Sequence, residues 1–334
     1  MVVASMDAGH AQAAAPARRE LETAVVRLAG DSGDGIQLTG SQLTLATALA
    51  GNDLQTFPDF PAEIRAPVGT TFGVSAFQIN FGARHIYTVG DSPDVLVALN
   101  PAALKVSLPD VKRGGIVVID EGSFDERSQR KAGLARDPRQ DGTLDGYQVI
   151  AVDISAGTKA ATKHTGLSSR EQLRCKNFFA LGLVYWMFDR DRAPTVRWLE
   201  QRFKDRPELA AANIAALNAG HALGETAEIA PIAGFHLAPA VIEPGLYRTV
   251  TGHEALAYGL IDGAEKAGLE MVFCSYPITP ASALLHHLAK LTGDGITTFQ
   301  AEDEIAGVGA ALGASFAGHL GATVTSGPGV ALKA

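Results

Sequence analysis

The sequence holds only two cysteines in 334 residues, Cys175 and Cys274. Two thiols cannot build a disulfide framework or ligate an iron–sulfur cluster, and such sparing use points to a reducing compartment. No apolar run approaches the ~18 residues that a bilayer-spanning helix needs, so no membrane segment is expected. Residues 1–20 are rich in alanine but lack the continuous apolar core of a secretory signal. Residues 1–22 are therefore read as a mobile tail, and the protein as cytoplasmic. Basic residues are the minority, 28 Lys and Arg against 36 Asp and Glu, for a net charge of −8. A nucleic-acid binder would need a basic stripe to neutralise phosphates, so that class of partner is excluded. The Gly-x-Ser-x-Gly and His-Glu-x-x-His motifs are missing. The only adjacent histidines, His286 and His287, would not face one another on a helix. No metal site is expected in this chain.

What is present is ample apolar material, 46% of residues, and 36 glycines, a share above the usual ~7%. The glycines are not periodic, which excludes collagen; they suit close helix packing and loops that approach ligands. Residues 24–29 (AVVRLA) form a run of strand length, then the glycine-rich GDSGDG at 30–35, then apolar residues at helical spacing over 36–50. Further strands are predicted at 72–80, 94–99, 114–120 and 147–152, with a helix at 101–108 and an irregular stretch at 121–146. Buried strands alternating with helices predict an α/β sheet covered on both faces. The stretch 57–80, with three prolines around Glu63 and Arg65, reads as a shaped surface loop before its strand. From Ser169 onward the pattern is helical: 173–188 is a largely apolar helix, ended by the segment carrying Pro194.

Composition shifts at 225–250, where Pro231, Pro239 and Pro244 accompany small residues, and this segment reads as a linker. It separates a first domain, 23–224, from a second α/β pattern over 251–334. The second pattern shows a helix at 253–268 and strands at 270–276, 296–300 and 322–326. Helices at 277–291 and 301–318 lie between the strands. The unit reads as cut in mid-sheet, its open pairing groups needing cover from more chain or a partner.

Three places can carry chemistry. Tyr276–Pro277–Ile278–Thr279–Pro280 follows a strand and opens a helix, so it lies where open α/β sheets bind ligands. Thr279 suits the N-cap and Pro280 the first helical position, so Thr279 either merely caps or serves the site. Glu302, Asp303 and Glu304 fall in the first turn of the next helix, where acidic residues complement the macrodipole. Glu304 differs because Gly307, Val308 and Ala311 share its face. That partly dry setting raises a carboxyl pKa, so Glu304 is either a cap or a proton-holding acid. GDSGDG is a weak phosphate signal. It departs from both the Gly-x-Gly-x-x-Gly fingerprint and the P-loop, and Asp31 and Asp34 would repel an anion unless turned away. Gly33, Gly35 and Ile36 are its candidate anion contacts; the alternative is a tight strand-to-helix turn.

The combination of YPITP (276–280), FQAEDEIAGVGAALGAS (299–315) and TSGPG (325–329) resembles the pyrimidine-binding domain of 2-oxoacid:ferredoxin oxidoreductases. GDSGDGI (30–36) and PAEIRAPVGTTFGVSAFQI (61–79) resemble the gamma domain of the same enzymes. The order of the two domains is similar to the alpha subunit of the 2-oxoglutarate-type branch. The resemblance implies oxidative decarboxylation of a 2-oxoacid, 2-oxoglutarate or pyruvate, with coenzyme A as co-substrate and ferredoxin as electron acceptor. It implies thiamine diphosphate shared with a separate beta subunit that carries Mg2+, the diphosphate-binding half and the [4Fe–4S] cluster. Glu304 matches the glutamate that hydrogen-bonds the aminopyrimidine ring, and Thr279 the motif threonine near the reacting centre. Tyr276, Pro277 and Ile278 match the cofactor-binding bend. His253 departs from the asparagine common at its position, and the segment bearing the substrate-binding arginine is not in the chain. The chain alone is therefore expected to be inactive. Two other readings remain: a truncated or standalone binding module, and a nucleotide-dependent oxidoreductase built on GDSGDG.

Overall fold

The computed structural model describes residues 18–61, 66–226, 229, 233–291 and 295–333. Glu63 and Arg65 lie outside the described residues. The chain divides into two compact units, Met1–Pro244 and Gly245–Ala334.

A six-stranded sheet forms the first unit: β2 (Thr23–Asp31), β3 (Asp53–Asp59), β4 (Val74–Gly82), β5 (Val95–Ala98), β6 (Ile116–Asp120) and β7 (Gln148–Val152), in the order β3-β4-β2-β5-β6-β7. Strands β2, β5, β6 and β7 run parallel, whereas β4 lies antiparallel to both β2 and β3. Side chains alternate between two cores. Val26, Leu28, Val95, Val97 and Val118 point to a layer that includes helices α1 (Ile36–Leu49), α6 (Lys176–Met187) and α8 (Pro207–Gly224). Ala29, Leu96, Ala98, Val117 and Ile119 point to the opposite layer, packed by α2 (Pro101–Ser107) and the irregular segment around Phe124 and Leu144. That segment includes the short α3 (Glu126–Lys131), and α4 (Ile154–Thr162) and α5 (Ser169–Leu173) lead from β7 to α6. A sheet dry on both faces accounts for continuous apolar runs such as Ile116–Ile119.

Three local expectations are corrected. The expected loop at 57–80 begins as strand β3, paired from Asp53↔Gly82 to Asp59↔Ala76. Pro58 is tolerated because β3 is an edge strand with no second partner to receive its missing N–H. The apolar helix ends at Met187, where Asp189 takes a left-handed φ of 55°. Pro194 therefore does not break that helix; it opens the next one, α7 (Ala193–Arg202), in the first turn. The segment read as a linker joins the first unit in part: Phe235–His236 (β8) pair in parallel with Arg19–Glu20 (β1), and Phe235 and Leu237 enter the core.

The second unit is a three-stranded parallel sheet, β10 (Ile296–Gln300), β9 (Met271–Ser275) and β11 (Leu320–Ala322), with β9 central. Helix α9 (Gly252–Ala267) starts at a capping box: Glu254 Oε2 accepts from Thr251 N at 2.7 Å, and Thr251 Oγ1 accepts from Glu254 N at 3.3 Å. Ala257 and Ala264 of this helix, Met271 and Phe273 of β9, and Leu284, Leu285 and Leu288 of α10 (Ser282–Leu288) form its core. Helix α11 (Glu304–Phe316) and the short α12 (Gly329–Lys333) complete the unit.

Candidate functional site

Because β10, β9 and β11 are parallel, their carboxyl ends lie on one edge, and the segments that leave them converge there. These are the bend 276–281 after β9, residues 301–303 after β10, and the loop 323–328 after β11.

The bend is tied at both ends. Ser282 Oγ accepts from Ile278 N at 2.7 Å and donates to Ile278 O at 2.8 Å, and Ser282 N donates to the same carbonyl at 2.8 Å. These bonds start the helix at Ser282 with Ala281 as its N-cap, so Thr279 does not cap it. The Thr279–Pro280 peptide is cis. Thr279 is exposed, and its carbonyl accepts from Ser326 Oγ at 3.0 Å, which joins the bend to the TSGPG loop. The Tyr276 side chain is buried, with its hydroxyl 2.6 Å from Thr325 Oγ1. Burial pushes the Tyr276 phenol up, the hydrogen bond with Thr325 opposes this, and the neighbouring Glu304 charge adds to the rise.

The acidic triplet separates by role. Asp303 Oδ1 accepts from Ala306 N at 2.8 Å and caps α11. Glu302 is exposed ahead of it. Glu304 is the first helical residue and is half-buried, with buried Gly307 and Ala311 on its face. Lys333 closes the cluster: its ammonium donates to Thr323 Oγ1 at 3.1 Å and Val324 O at 3.3 Å, and lies 5.5 Å from the Tyr276 ring centroid. Burial lowers the Lys333 pKa, and the Glu304 charge opposes that shift. Thus Glu304, Tyr276, Pro277, Ile278 and Thr279 share one edge. Ser282, Thr325, Ser326 and Lys333 join them. The TSGPG motif marks where two of these latter residues lie, but no local pattern discloses that its threonine reaches Tyr276 across 49 residues.

In the first unit, Ser32–Asp34 form a turn of 3-10 helix and Gly35 takes φ 74° before α1. Its two acids are engaged internally. Asp31 is buried and accepts from Gly69 N at 3.2 Å, while Asp34 accepts from Asp31 N at 3.0 Å and pairs with Lys176 at 3.2 Å. Burial, then the neighbouring Asp34, pushes the Asp31 carboxyl up. Ile36 buries its side chain in the core, leaving only backbone to meet a ligand, and Gly33 is exposed. A cavity of about 330 Å3 lies elsewhere in this unit, bordered by Arg19, Lys112, Arg113 and Phe235 at the amino ends of β5 and β6. That is the opposite edge from where such sheets bind ligands. Among the described residues no group of acids, histidines and cysteines is arranged to hold a metal, and no helix is long and apolar enough to cross a membrane.

The family model described as pyruvate ferredoxin/flavodoxin oxidoreductase matches residues 25–223, and that of its thiamine-diphosphate-binding domain matches 262–334. The chain is 48% identical over 320 residues to the 2-oxoglutarate oxidoreductase subunit KorA of Mycobacterium tuberculosis, covering 96% of this chain and 49% of that protein. It is 25% identical to the 2-oxoacid:ferredoxin oxidoreductase 1 alpha subunit of Aeropyrum pernix, covering 92% and 51%. Among solved structures, the 2-oxoglutarate:ferredoxin oxidoreductase of Magnetococcus marinus, with 2-oxoglutarate, coenzyme A and succinyl-CoA bound, matches with a TM-score of 0.67 and 30% identity. The match covers 93% of this chain and 49% of that one. The chain spans about half the length of these relatives.

Proposed function

Because the chain belongs to the pyruvate ferredoxin/flavodoxin oxidoreductase family, we propose that it serves in a 2-oxoacid:ferredoxin oxidoreductase, with 2-oxoglutarate as the substrate and coenzyme A as the acyl acceptor. The products are an acyl-CoA, carbon dioxide and reduced ferredoxin. The observation that carries this reading is Glu304, half-buried at the carboxyl edge of a parallel sheet, on the helix face whose Gly307 lies against Tyr276.

The residues at that edge fit thiamine diphosphate. An ionised carboxylate is an acceptor only, which is what a ring amino group or protonated ring nitrogen requires. Pro277 and Ile278 offer apolar surface for the face of the ring. Bound there, the cofactor supplies the electron sink for loss of carbon dioxide. Glu304 holds and returns a proton through a carboxylate oxygen at the pyrimidine. Thr279, whose side chain is exposed, presents its hydroxyl to the substrate. The exposed turn at Gly33 and the backbone of Gly35 and Ile36 form the contact for an anionic portion of coenzyme A. A second subunit supplies the diphosphate half with Mg2+, the [4Fe–4S] cluster and the route to ferredoxin. The apportioning of the cluster to a partner agrees with two buried, lone cysteines here.

The test measures 2-oxoacid-dependent reduction of a viologen dye with thiamine diphosphate and coenzyme A, using the protein alone and with a cluster-bearing second subunit. Turnover that needs the second subunit and prefers 2-oxoglutarate to pyruvate is the expected result. A pair that forms yet fails to bind thiamine diphosphate overturns the reading.

A further inference from the structure

We propose that the cavity at the amino edge of the six-stranded sheet is a binding site for an amphipathic anion, a molecule that carries a carboxylate or phosphate on a compact apolar body. The inference stands apart from the functional reading above, because every residue it uses lies in the first unit, at the opposite edge from the turn at Gly33.

The cavity measures about 330 Å3, at the small end of the range for small-molecule sites. Its inner wall is apolar: Ala24, Ile116, Phe188 and Phe235 line it and are themselves buried. Its mouth is cationic, with Arg19, Lys112 and Arg113 exposed around it. An apolar wall with a few polar groups converging at one end fixes the orientation of a bound molecule. The turn that carries Lys112 and Arg113 depends on its glycines. Gly114 takes φ 81°, and a Cβ on Gly115 would lie 2.7 Å from the Lys112 carbonyl oxygen.

Four charged groups border the cavity, and they do not cancel. Asp94 is the one acid among them, and its carboxylate is already engaged. Its Oδ1 accepts from Lys112 Nζ at 3.1 Å and its Oδ2 from Val25 N at 2.9 Å. The two guanidiniums have no carboxylate partner among the described residues. Arg19, set beside Phe235 by the parallel pairing of β1 with β8, lies 5.4 Å from the centroid of that ring. Arg113 lies 5.1 Å from the Tyr147 ring centroid and donates from Nη1 to Asp145 O at 2.8 Å. An aromatic face braces each guanidinium and leaves N–H groups of the fork to an incoming acid. Such forks match the oxygens of a carboxylate or a phosphate alike. A bare ion gains nothing from the wall, and a neutral apolar molecule gains nothing from the charges, so the occupant carries both parts.

The experiment titrates the full chain by calorimetry with decanoate, decyl phosphate, decyltrimethylammonium, acetate and inorganic phosphate. At least one of the two long-chain anions should bind saturably at a single site, and the tighter of them identifies the acid that the mouth prefers. The cationic amphiphile and the two bare ions should bind far more weakly. Arg19→Gln and Arg113→Gln should each weaken the bound anion by about tenfold, the low end for a hydrogen bond to a charged group. Both side chains are exposed, so the variants should keep the parent melting temperature. Arg202→Gln is the control: Arg202 also lies over a ring, 5.8 Å from the Phe203 centroid, but does not border the cavity. Absence of saturable binding by both long-chain anions overturns the proposal. So does binding that survives both cavity variants, that Arg202→Gln weakens equally, or that decyltrimethylammonium shares. Inorganic phosphate or acetate binding as tightly as its decyl counterpart overturns it as well, since the apolar wall then contributes nothing.

Discussion

Gly220 of α8 faces the backbone of Phe179 in α6 so closely that a Cβ on the glycine would overlap the phenylalanine carbonyl oxygen. The contact is mutual, since a Cβ at Gly182 of α6 would overlap the Leu217 carbonyl of α8. Backbone is the obstacle in both cases, so no side-chain rotation relieves it. Gly220→Ala should destabilise the first unit by about 1–3 kcal/mol, the range for overpacking a filled core. The measurement is the denaturant midpoint of the purified protein, and Gly259→Ala, whose Cβ would meet open space, is the control.

Glu304→Gln should lower turnover of the reconstituted complex by roughly 100-fold or more, as expected for loss of a general acid–base group. Its thermal midpoint should stay close to the parent value, because α11 is capped by Asp303 rather than by Glu304. Parallel measurement of rate and melting temperature separates the two outcomes.

Asp31 gives a pH signature of defined sign. Its carboxyl is pushed up by burial first and by Asp34 second. The folded state therefore binds more protons than the unfolded one between the ordinary Asp pKa and the raised value. Stability associated with this group is greatest below that window and falls as pH rises through it. Asp31→Asn keeps an oxygen for the Gly69 N–H and removes the charge. It should raise stability at neutral pH and flatten that part of the profile, as read by melts across pH.

Arg190 is a buried guanidinium whose Nε and Nη2 lack hydrogen-bond partners; its charge lies 5.1 Å from the Phe81 ring centroid. Burial pushes its pKa down to about 10. Arg190→Met should stabilise the protein by about 1–3 kcal/mol at pH 7, since it removes an unsatisfied buried polar group and fills the space with apolar atoms. The gain should shrink as pH rises past about 10, where the folded parent chain has already shed the proton. Chemical denaturation at neutral and alkaline pH reads both.

Much of this architecture is legible in the residues. Apolar runs such as Ile116–Ile119 mark strands dry on both faces, and the spacing of Gly307 and Ala311 from Glu304 marks the helix face on which that carboxyl lies. Strand β3 is not legible, because an edge strand needs no apolar run and can carry Pro58. The start of α10 escapes a local reading for a related reason. Thr279 and Pro280 form a good capping pattern, but bonds from Ser282 to Ile278 move the start to Ser282. Contacts such as Thr325 with Tyr276 depend on which strands become neighbours, which no local window contains.

The sheet order of the first unit carries a consequence for synthesis. Strand β2 comes early in the chain yet ends in the middle of the sheet, between β4 and β5. A growing polypeptide has neither neighbour on hand until Val74–Gly82 and then Val95–Ala98 have left the ribosome. Throughout that interval α1 is on hand to cover Val26 and Leu28, but both backbone edges of β2 and its opposite face at Ala29 wait for partners made later, so the heart of the sheet is closed by non-local pairing.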